Sequence, residues 1–121
     1  MTTNFRNGSI FYESYGNGSP IVLLHGFLES SNMWKHLLGK LTPTYKVITI
    51  DLPGHGKTST FLDIHSMSFM AEAVNAVLME EGHTRATLVG HSMGGYVALA
   101  FAEQFSHHLS GLILLNSTPA E

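Results

Sequence analysis

The sequence predicts an α/β fold in which a mostly parallel sheet is flanked by helices. One observation is that the short apolar runs Ile21–Leu24 and Val47–Ile50 are bounded by turn-forming or polar residues, as is typical of strands covered on both faces. A second is that segments with apolar residues at helical spacing alternate with such runs. Because alternating strands and helices form right-handed βαβ units, the expected order is β-β-β-α-β-α-β-α-β.

The first two strands are expected to form a hairpin. The pair Asn7-Gly8 lies between Thr3–Phe5 and Ile10–Tyr15, and an Asn-Gly pair suits the positive φ angles of a type I′ turn. A second cluster of turn-forming residues, Gly16–Pro20, then leads into the third strand. The hairpin would therefore add antiparallel pairing at one edge of the sheet.

The first helix is expected between Ser30 or Ser31, either of which can cap it, and Pro43, which stops it. Its apolar positions fall at helical spacing: Met33, Trp34, Leu37, Leu38 and Leu41. The strand that follows ends at Asp51, and a loop containing Gly54 and Gly56 comes next.

The second helix is predicted over Met67–Glu81, with Gly82 placed to end it. Its apolar stripe consists of Met70, Ala71, Val74, Val77 and Leu78. The third unit is predicted to begin with a strand at Thr87–Val89 and a tight turn at Gly90–Gly95. A helix over Tyr96–Phe105 and a last strand at Leu112–Leu115 follow.

Composition excludes several classes of protein. The 121 residues, 44% hydrophobic and 12% charged, are enough for one domain (1–121) and argue against disorder. A net charge of −3 argues against nucleic-acid binding, and the absence of cysteine excludes disulfide scaffolds and thiolate chemistry. No apolar run is long enough to cross a membrane and no secretory signal is evident, so we expect a cytoplasmic location and no membrane partner.

The segment Gly90–Gly94 matches the pattern Gly-x-Ser-x-Gly, with Ser92 at its centre. It directly follows an apolar strand and directly precedes an apolar helix, which is the context that a nucleophile elbow requires. Glycine is needed there because a sharp turn brings the two backbones together, and a Cβ at Gly90 or Gly94 would collide. The turn would point the Ser92 hydroxyl into the crevice at the carboxyl end of the sheet.

A second element, His25-Gly26-Phe27, follows the strand Ile21–Leu24. In this architecture the loop at this place can supply one N–H group to an oxyanion, and the residue after the nucleophile supplies another. The backbone N–H groups of Phe27 and Met93 are therefore the candidate oxyanion donors, placed where negative charge would develop. Supporting roles in the turn and the loop are expected for Gly90, His91, Gly94, Gly95, His25 and Gly26.

In the segments 21–27, 51–56 and 90–95 the chain resembles the α/β-hydrolase fold family, and within it the smaller bacterial esterase-type members. The resemblance implies acyl transfer to water through Ser92, with an oxyanion hole from Phe27 and Met93 and no cofactor. The substrate would be a small acyl compound such as a carboxylic ester. It further implies that Asp51 and His55, on the loop after the family's fourth strand, are usually structural.

The chain departs from the family pattern in one respect. The family's acid and histidine follow the serine in the order Ser, Asp or Glu, His, whereas this sequence stops at Glu121. We therefore expect about the first half of the fold, without the last strands, the cap and the C-terminal helix. The acid and the base would come from segments absent from this chain, which alone would be inactive.

Residues within the chain are weak substitutes for the missing pair. His25 is the best internal stand-in for the base, whereas His91 should be directed elsewhere by the turn, and Glu121 is the only acid after the last strand. His107 and His108 lie past the far end of the third helix and are too distant, and His36, His65 and His83 fall on or beside helices.

A metal site is not expected. No His-Glu-x-x-His pattern occurs, and although His25, His55 and His91 could converge near the strand ends, no carboxylate stands at motif spacing.

The last strand, Leu112–Leu115, would form an exposed apolar edge, which invites pairing with another chain. We expect a complementing C-terminal segment or self-association there. Two alternatives to an esterase stay open. One is a non-catalytic interaction module that binds a partner through this edge, and the other is haloperoxidase-like or carbon–carbon bond hydrolysis at the same serine.

Overall fold

A computed structural model describes residues 1–60 and 66–115 of the chain. Within these residues the elements follow the predicted order. The strands are β1 (Thr2–Phe5), β2 (Gly8–Tyr15), β3 (Ser19–Leu24), β4 (Tyr45–Ile50), β5 (Ala86–His91) and β6 (Leu109–Leu115). The α-helices are α1 (Lys35–Leu41), α2 (Met67–Glu80) and α3 (Met93–Gln104), and 3₁₀ turns at Ser31–Trp34 and Ser106–His108 precede α1 and β6.

The strands of these residues form one sheet in the order β1-β2-β4-β3-β5-β6. The four strands from β3 to β6 pair in parallel, whereas β1 and β2 pair antiparallel at one side. The predicted α/β class with a mostly parallel sheet is therefore confirmed. Leu24, the last residue of β3, pairs with Gly90 in β5, so the loops after these two strands leave the sheet side by side.

The predicted hairpin forms, but its turn is one residue earlier than expected. Phe5 pairs with Gly8, so the two-residue connection is Arg6-Asn7 rather than Asn7-Gly8, and its positive φ (56°) is at Arg6. This register buries Ile10 against the core, and a one-residue slip would turn that side chain outward. The guanidinium of Arg6 pairs with the Glu72 carboxylate on α2, which ties the turn to the helix.

Two serines cap helical segments of the fold. The hydroxyl of Ser30 accepts from the Asn32 N–H, 3.4 Å away, at the start of the 3₁₀ turn before α1. The hydroxyl of Ser66 accepts from the Phe69 N–H at 3.0 Å and caps α2. Gly82, with φ +77°, follows the end of α2, as predicted.

Helix α3 begins at Met93, three residues before the predicted start. The prediction placed Gly94 and Gly95 in the turn because glycine is a weak helix former. In the structure both glycines lie in the first turn of the helix and are buried, because tertiary packing outweighs local propensity there.

The two faces of the sheet differ in how well they are covered. The face packed by α2 and α3 has the larger core, built from residues of β2, β3, β4, β5, α2 and α3. The other face has a small core of Leu23, Trp34 and Val47 under α1. Beyond it, on β6, Ile113 is 49% exposed and Leu115 is 39% exposed. The predicted apolar edge strand is therefore present in the described part of the chain.

No helix among residues 1–60 and 66–115 combines the length and the apolar character that a membrane span requires. A cytoplasmic location remains a prediction.

Candidate active site

Ser92 lies on a strained turn between β5 and α3. Its φ of +54° and ψ of −114° are unusual for a residue with a side chain. Its main chain is held on both sides, because its N–H donates to the Leu115 carbonyl (3.0 Å) and its carbonyl accepts from the Gly95 N–H (2.9 Å). The edge strand β6 is thus directly bonded to the turn that presents the serine.

The glycines around Ser92 are required by the close approach of strand and helix. A Cβ on Gly90 would lie 2.6 Å from the Cα of Gly95, and a Cβ on Gly94 would lie 2.7 Å from the carbonyl oxygen of His25. Both distances are too short for real atoms, so the collision predicted from the sequence is present. The contact between Gly94 and His25 also brings the start of α3 against the loop that follows β3.

That loop and the helix start carry the two candidate oxyanion donors. Phe27 follows β3 by three residues, and its N–H has no hydrogen-bond partner within residues 1–60 and 66–115. Met93 is the first residue of α3, where helix N–H groups lack an intrahelical acceptor and the helix dipole is positive. Both segments meet at the carboxyl ends of β3 and β5.

His25 is engaged as a structural residue. Its Nε2 accepts from the Leu52 N–H (2.9 Å), so its Nδ1 carries the proton and donates to the Gly26 carbonyl (2.7 Å). The ring is fully buried, and burial lowers the pKa of His25, which favours the neutral form. Because the lone pair of the ring is already used by the backbone, the geometry does not favour His25 as the base for Ser92.

Glu29 is a residue that the sequence analysis did not single out. Its Oε1 accepts from the Gly26 N–H (2.8 Å) and lies 3.2 Å from Nδ1 of His91, the residue before Ser92. It therefore links the loop after β3 to the end of β5. A carboxylate three residues after a buried glycine is the signal that could have found it, since this spacing lets a side chain return to the glycine N–H.

Asp51 and His55 shape the loop after β4, in agreement with a structural role. The two carboxylate oxygens of Asp51 accept from the Ser31 N–H (2.8 Å) and the Lys57 N–H (2.9 Å). Nδ1 of His55 donates to the Pro53 carbonyl (3.1 Å), and its ring packs on the ring of Phe27 with centroids 5.7 Å apart.

The remaining histidines do not assemble a site in the described residues. No group of three or more His, Cys, Asp or Glu residues that could hold a metal ion occurs in residues 1–60 and 66–115. His108, beyond the far end of α3, lies 2.8 Å from Asn75. His65 and Glu121, which the sequence analysis considered, lie outside the described residues.

Comparison with known proteins places this geometry among hydrolases. The sequence model of a family described as "alpha/beta hydrolase fold" matches residues 19–121. A pimeloyl-[acyl-carrier protein] methyl ester esterase of Aeromonas hydrophila is 35% identical over 112 residues, which are 92% of this chain and 42% of the relative.

Solved structures show the same similarity. Est816, described as an N-acyl homoserine lactone degrading enzyme, superposes with a TM-score of 0.94 at 32% identity, over 97% of this chain and 45% of its own. The epoxide hydrolase CorEH superposes with a TM-score of 0.95 at 28% identity, over 98% of this chain and 42% of its own. The chain thus spans less than half the length of each of these three proteins.

Proposed function

The chain belongs to the alpha/beta hydrolase fold family, and from this premise we propose that it supplies the nucleophile and the oxyanion hole of a serine hydrolase. The substrates are small carboxylic esters or related acyl compounds. The observation that carries the proposal is the strained turn at Ser92, which lies between the end of β5 and the start of α3. Strain of about 1–3 kcal/mol at one residue is tolerated at sites where it serves a function.

In the proposed reaction the Ser92 hydroxyl oxygen attacks the acyl carbonyl carbon and loses its proton to a histidine base. The carbonyl oxygen becomes negative and accepts hydrogen bonds from the N–H groups of Phe27 and Met93. The alcohol departs with the proton from the histidine, and water then releases the acid by the same steps. In the loop after β3, the side chains of Phe27 and Leu28 are 66% and 81% exposed and would face an apolar part of the substrate.

The base and its acid partner are proposed to come from residues outside this chain. His25 is not a favourable base because its Nε2 already accepts from the Leu52 N–H. His91 directly precedes Ser92 at the end of β5, where the turn should direct its ring away from the serine hydroxyl. In serine proteases the loss of triad members lowers turnover by about 10⁴ to 10⁶-fold. The chain by itself should therefore show little or no hydrolysis, and it should acquire activity when a segment with the histidine and the acid completes it.

The test is labelling by an alkyl fluorophosphonate, in the assembly in which the chain is purified. Intact and native mass first show whether a second polypeptide is present. Peptide mass spectrometry should then find the adduct on Ser92, and Ser92→Ala should remove it, whereas Ser110→Ala on the exposed side of β6 should not. An assembly that hydrolyses esters but is labelled on another residue, or on none, would contradict the proposal.

A second candidate function is favoured by the exposed apolar strand β6. Ile113 and Leu115 face solvent on the side of the sheet that α1 leaves open. Such an edge can bind a complementing segment or a second copy without any chemistry. Ser92→Ala separates the two functions, because it should abolish hydrolysis and leave binding through β6 unchanged.

A further inference from the structure

We propose that Glu29 is the positioning residue that aims the Phe27 N–H toward the oxyanion. The proposal deepens the proposed function, because it takes Phe27 as an oxyanion donor. Its structural part, that Glu29 closes the loop after β3, stands on contacts that are independent of any reaction.

Residues 26–29 form a turn that is closed by two hydrogen bonds between its first and last residues. The Glu29 N–H donates to the Gly26 carbonyl (3.2 Å), and the Gly26 N–H donates to the Glu29 carboxylate (2.8 Å). The third residue of the turn, Leu28, has φ +61°, a conformation that turns of this kind normally give to glycine. A leucine there is strained, so the reciprocal bonds between Gly26 and Glu29 are what keep the turn closed.

The orientation of the Phe27 N–H follows from the planarity of the peptide bond. The Gly26 carbonyl and the Phe27 N–H belong to one trans peptide unit and point in opposite directions. The carbonyl is fixed by two donors, Nδ1 of His25 at 2.7 Å and the Glu29 N–H at 3.2 Å. With the carbonyl fixed, the N–H on the other side of the unit is fixed as well.

The Glu29 carboxylate also joins this loop to the serine turn. It lies 3.2 Å from Nδ1 of His91, and His91 precedes Met93, the other candidate donor, by two residues. A Cβ on Gly26 would overlap with the Glu29 carboxylate, so the glycine leaves room for this contact. One side chain therefore contacts both segments that supply oxyanion donors.

The test compares Glu29→Ala, Glu29→Gln, Leu28→Gly and the double variant Leu28→Gly/Glu29→Ala, in the assembly in which Ser92 reacts. Two quantities are measured. One is the hydrogen-exchange rate of the Gly26 amide. The other is inactivation by an alkyl fluorophosphonate, for which the binding constant of the probe and the maximal rate of inactivation are determined separately. Glu29→Ala should raise Gly26 exchange by about tenfold, because that amide loses its acceptor. The same variant should lower the maximal rate of inactivation by about tenfold and leave the binding constant of the probe unchanged. The loss is smaller than the roughly 10²–10³-fold loss when an oxyanion donor is removed outright, because the Phe27 N–H is still present.

Two further variants distinguish a positioning role of Glu29 from a general disruption of the fold. Glu29→Gln keeps an acceptor oxygen and should retain the maximal rate within about threefold of wild type, since the bond to Gly26 is preserved. In the double variant, glycine at position 28 adopts a positive φ without strain, so the turn should close again and the rate should return to that of Leu28→Gly. The proposal is overturned if Glu29→Ala leaves the exchange rate of the Gly26 amide unchanged. It is also overturned if Glu29→Gln is as slow as Glu29→Ala and the added Leu28→Gly does not restore the rate of inactivation.

The same measurements keep the two proposals apart. If Ser92 is labelled equally in all variants while Gly26 exchange rises in Glu29→Ala, the nucleophile stands and the positioning role of Glu29 is wrong. If Ser92 is not labelled in the wild-type assembly, the proposed function fails. The exchange of the Gly26 amide then still decides whether Glu29 closes the turn.

Discussion

The loops at the carboxyl ends of β3 and β5 and the region around the C-terminal end of α2 are built in opposite ways. In the loops, Ser92 and Leu28 have positive φ, and Phe27 and Leu28 expose apolar side chains. Around the end of α2, by contrast, one carboxylate holds two polar side chains: the Tyr12 hydroxyl donates to Glu81 (3.0 Å), and Lys46 Nζ lies 3.0 Å from the same carboxylate.

The difference shows where this fold tolerates strain. Two of the three described non-glycine residues with positive φ, Leu28 and Ser92, lie in these loops, and the third, Arg6, lies in the hairpin turn. The pairs made by Glu81, by contrast, fasten the helix to β2 and β4. Changes in the loops should therefore alter reactivity and stability independently of one another. Changes around the end of α2 should alter stability alone.

The largest effect is expected from Gly94→Ala in the loop region. Its Cβ would lie 2.7 Å from the His25 carbonyl oxygen, so strand and helix must move apart, at a cost of about 3 kcal/mol in the free energy of unfolding. Urea denaturation measures this. Gly39→Ala is the matched control, because no atom lies within 4 Å of its Cβ in helix α1, and it should stabilise by about 0.5–1 kcal/mol. A Gly94→Ala variant as stable as wild type would mean that the crowding at the elbow is not real.

A smaller effect is expected from Tyr12→Phe in the region around the end of α2. The variant loses the hydrogen bond to Glu81 and should be destabilised by about 1 kcal/mol at neutral pH, with no change in Ser92 labelling. Tyr45→Phe, on an exposed tyrosine of β4, is the control that should leave stability unchanged. Loss of labelling in Tyr12→Phe would show that the two regions are coupled.

The same pair makes a prediction for alkaline pH. Burial, together with the hydrogen bond to Glu81, raises the pKa of Tyr12 from 10.0 to about 12. Its contribution to stability is therefore fully present below pH 10 and is lost as the pH rises to about 12. The stability difference between wild type and Tyr12→Phe should shrink over this range, as followed by denaturation at fixed pH values. A difference that stays constant would show that Tyr12 does not titrate in this way.

Toward acid, Glu81 should govern the same region. Burial alone would raise the pKa of Glu81, but hydrogen bonds from Lys46, Tyr12 and Ser14 outweigh it, and the net shift is downward. A carboxyl with a lowered pKa in the folded state stabilises above its unfolded value of 4.5, and this contribution is lost as the pH falls through the folded value. In Glu81→Gln the free energy of unfolding should therefore fall less between neutral and acid pH than in wild type, as measured by denaturation at fixed pH values.

Of the variants at the elbow, Ser92→Gly is the one expected to gain stability. Glycine adopts φ +54° readily, so the variant should abolish labelling and yet be more stable than wild type by about 1 kcal/mol. Thermal denaturation measures the gain. Ser110→Gly on β6, where no positive φ occurs, should instead lose about 0.5–1 kcal/mol. If Ser92→Gly is the less stable variant, the turn is not under strain.

The sequence was sufficient for features that depend on neighbouring residues. The order of strands and helices along the chain follows from the short apolar runs, and the elbow glycines follow from Gly-x-Ser-x-Gly, because both are set by local spacing. The order of the strands within the sheet was not predicted, because it depends on non-local pairing. The hairpin turn was misplaced by one residue because the register depends on burying Ile10 and on the pairing of Arg6 with Glu72. For Glu29 a local signal existed in its spacing from Gly26, but its contact with His91, 62 residues away, could not be predicted from neighbouring residues.

The bond from the Ser92 N–H to the Leu115 carbonyl has a consequence for how the chain matures. During synthesis the turn at Ser92 emerges from the ribosome well before Leu115, so its conformation cannot be completed until the edge strand has docked. Since β6 is the last strand of the described chain to be made, this hydrogen bond of the Ser92 turn forms only after residue 115 has left the ribosome. A nascent chain that ends before residue 115 therefore lacks one of the two main-chain hydrogen bonds that hold the turn at Ser92.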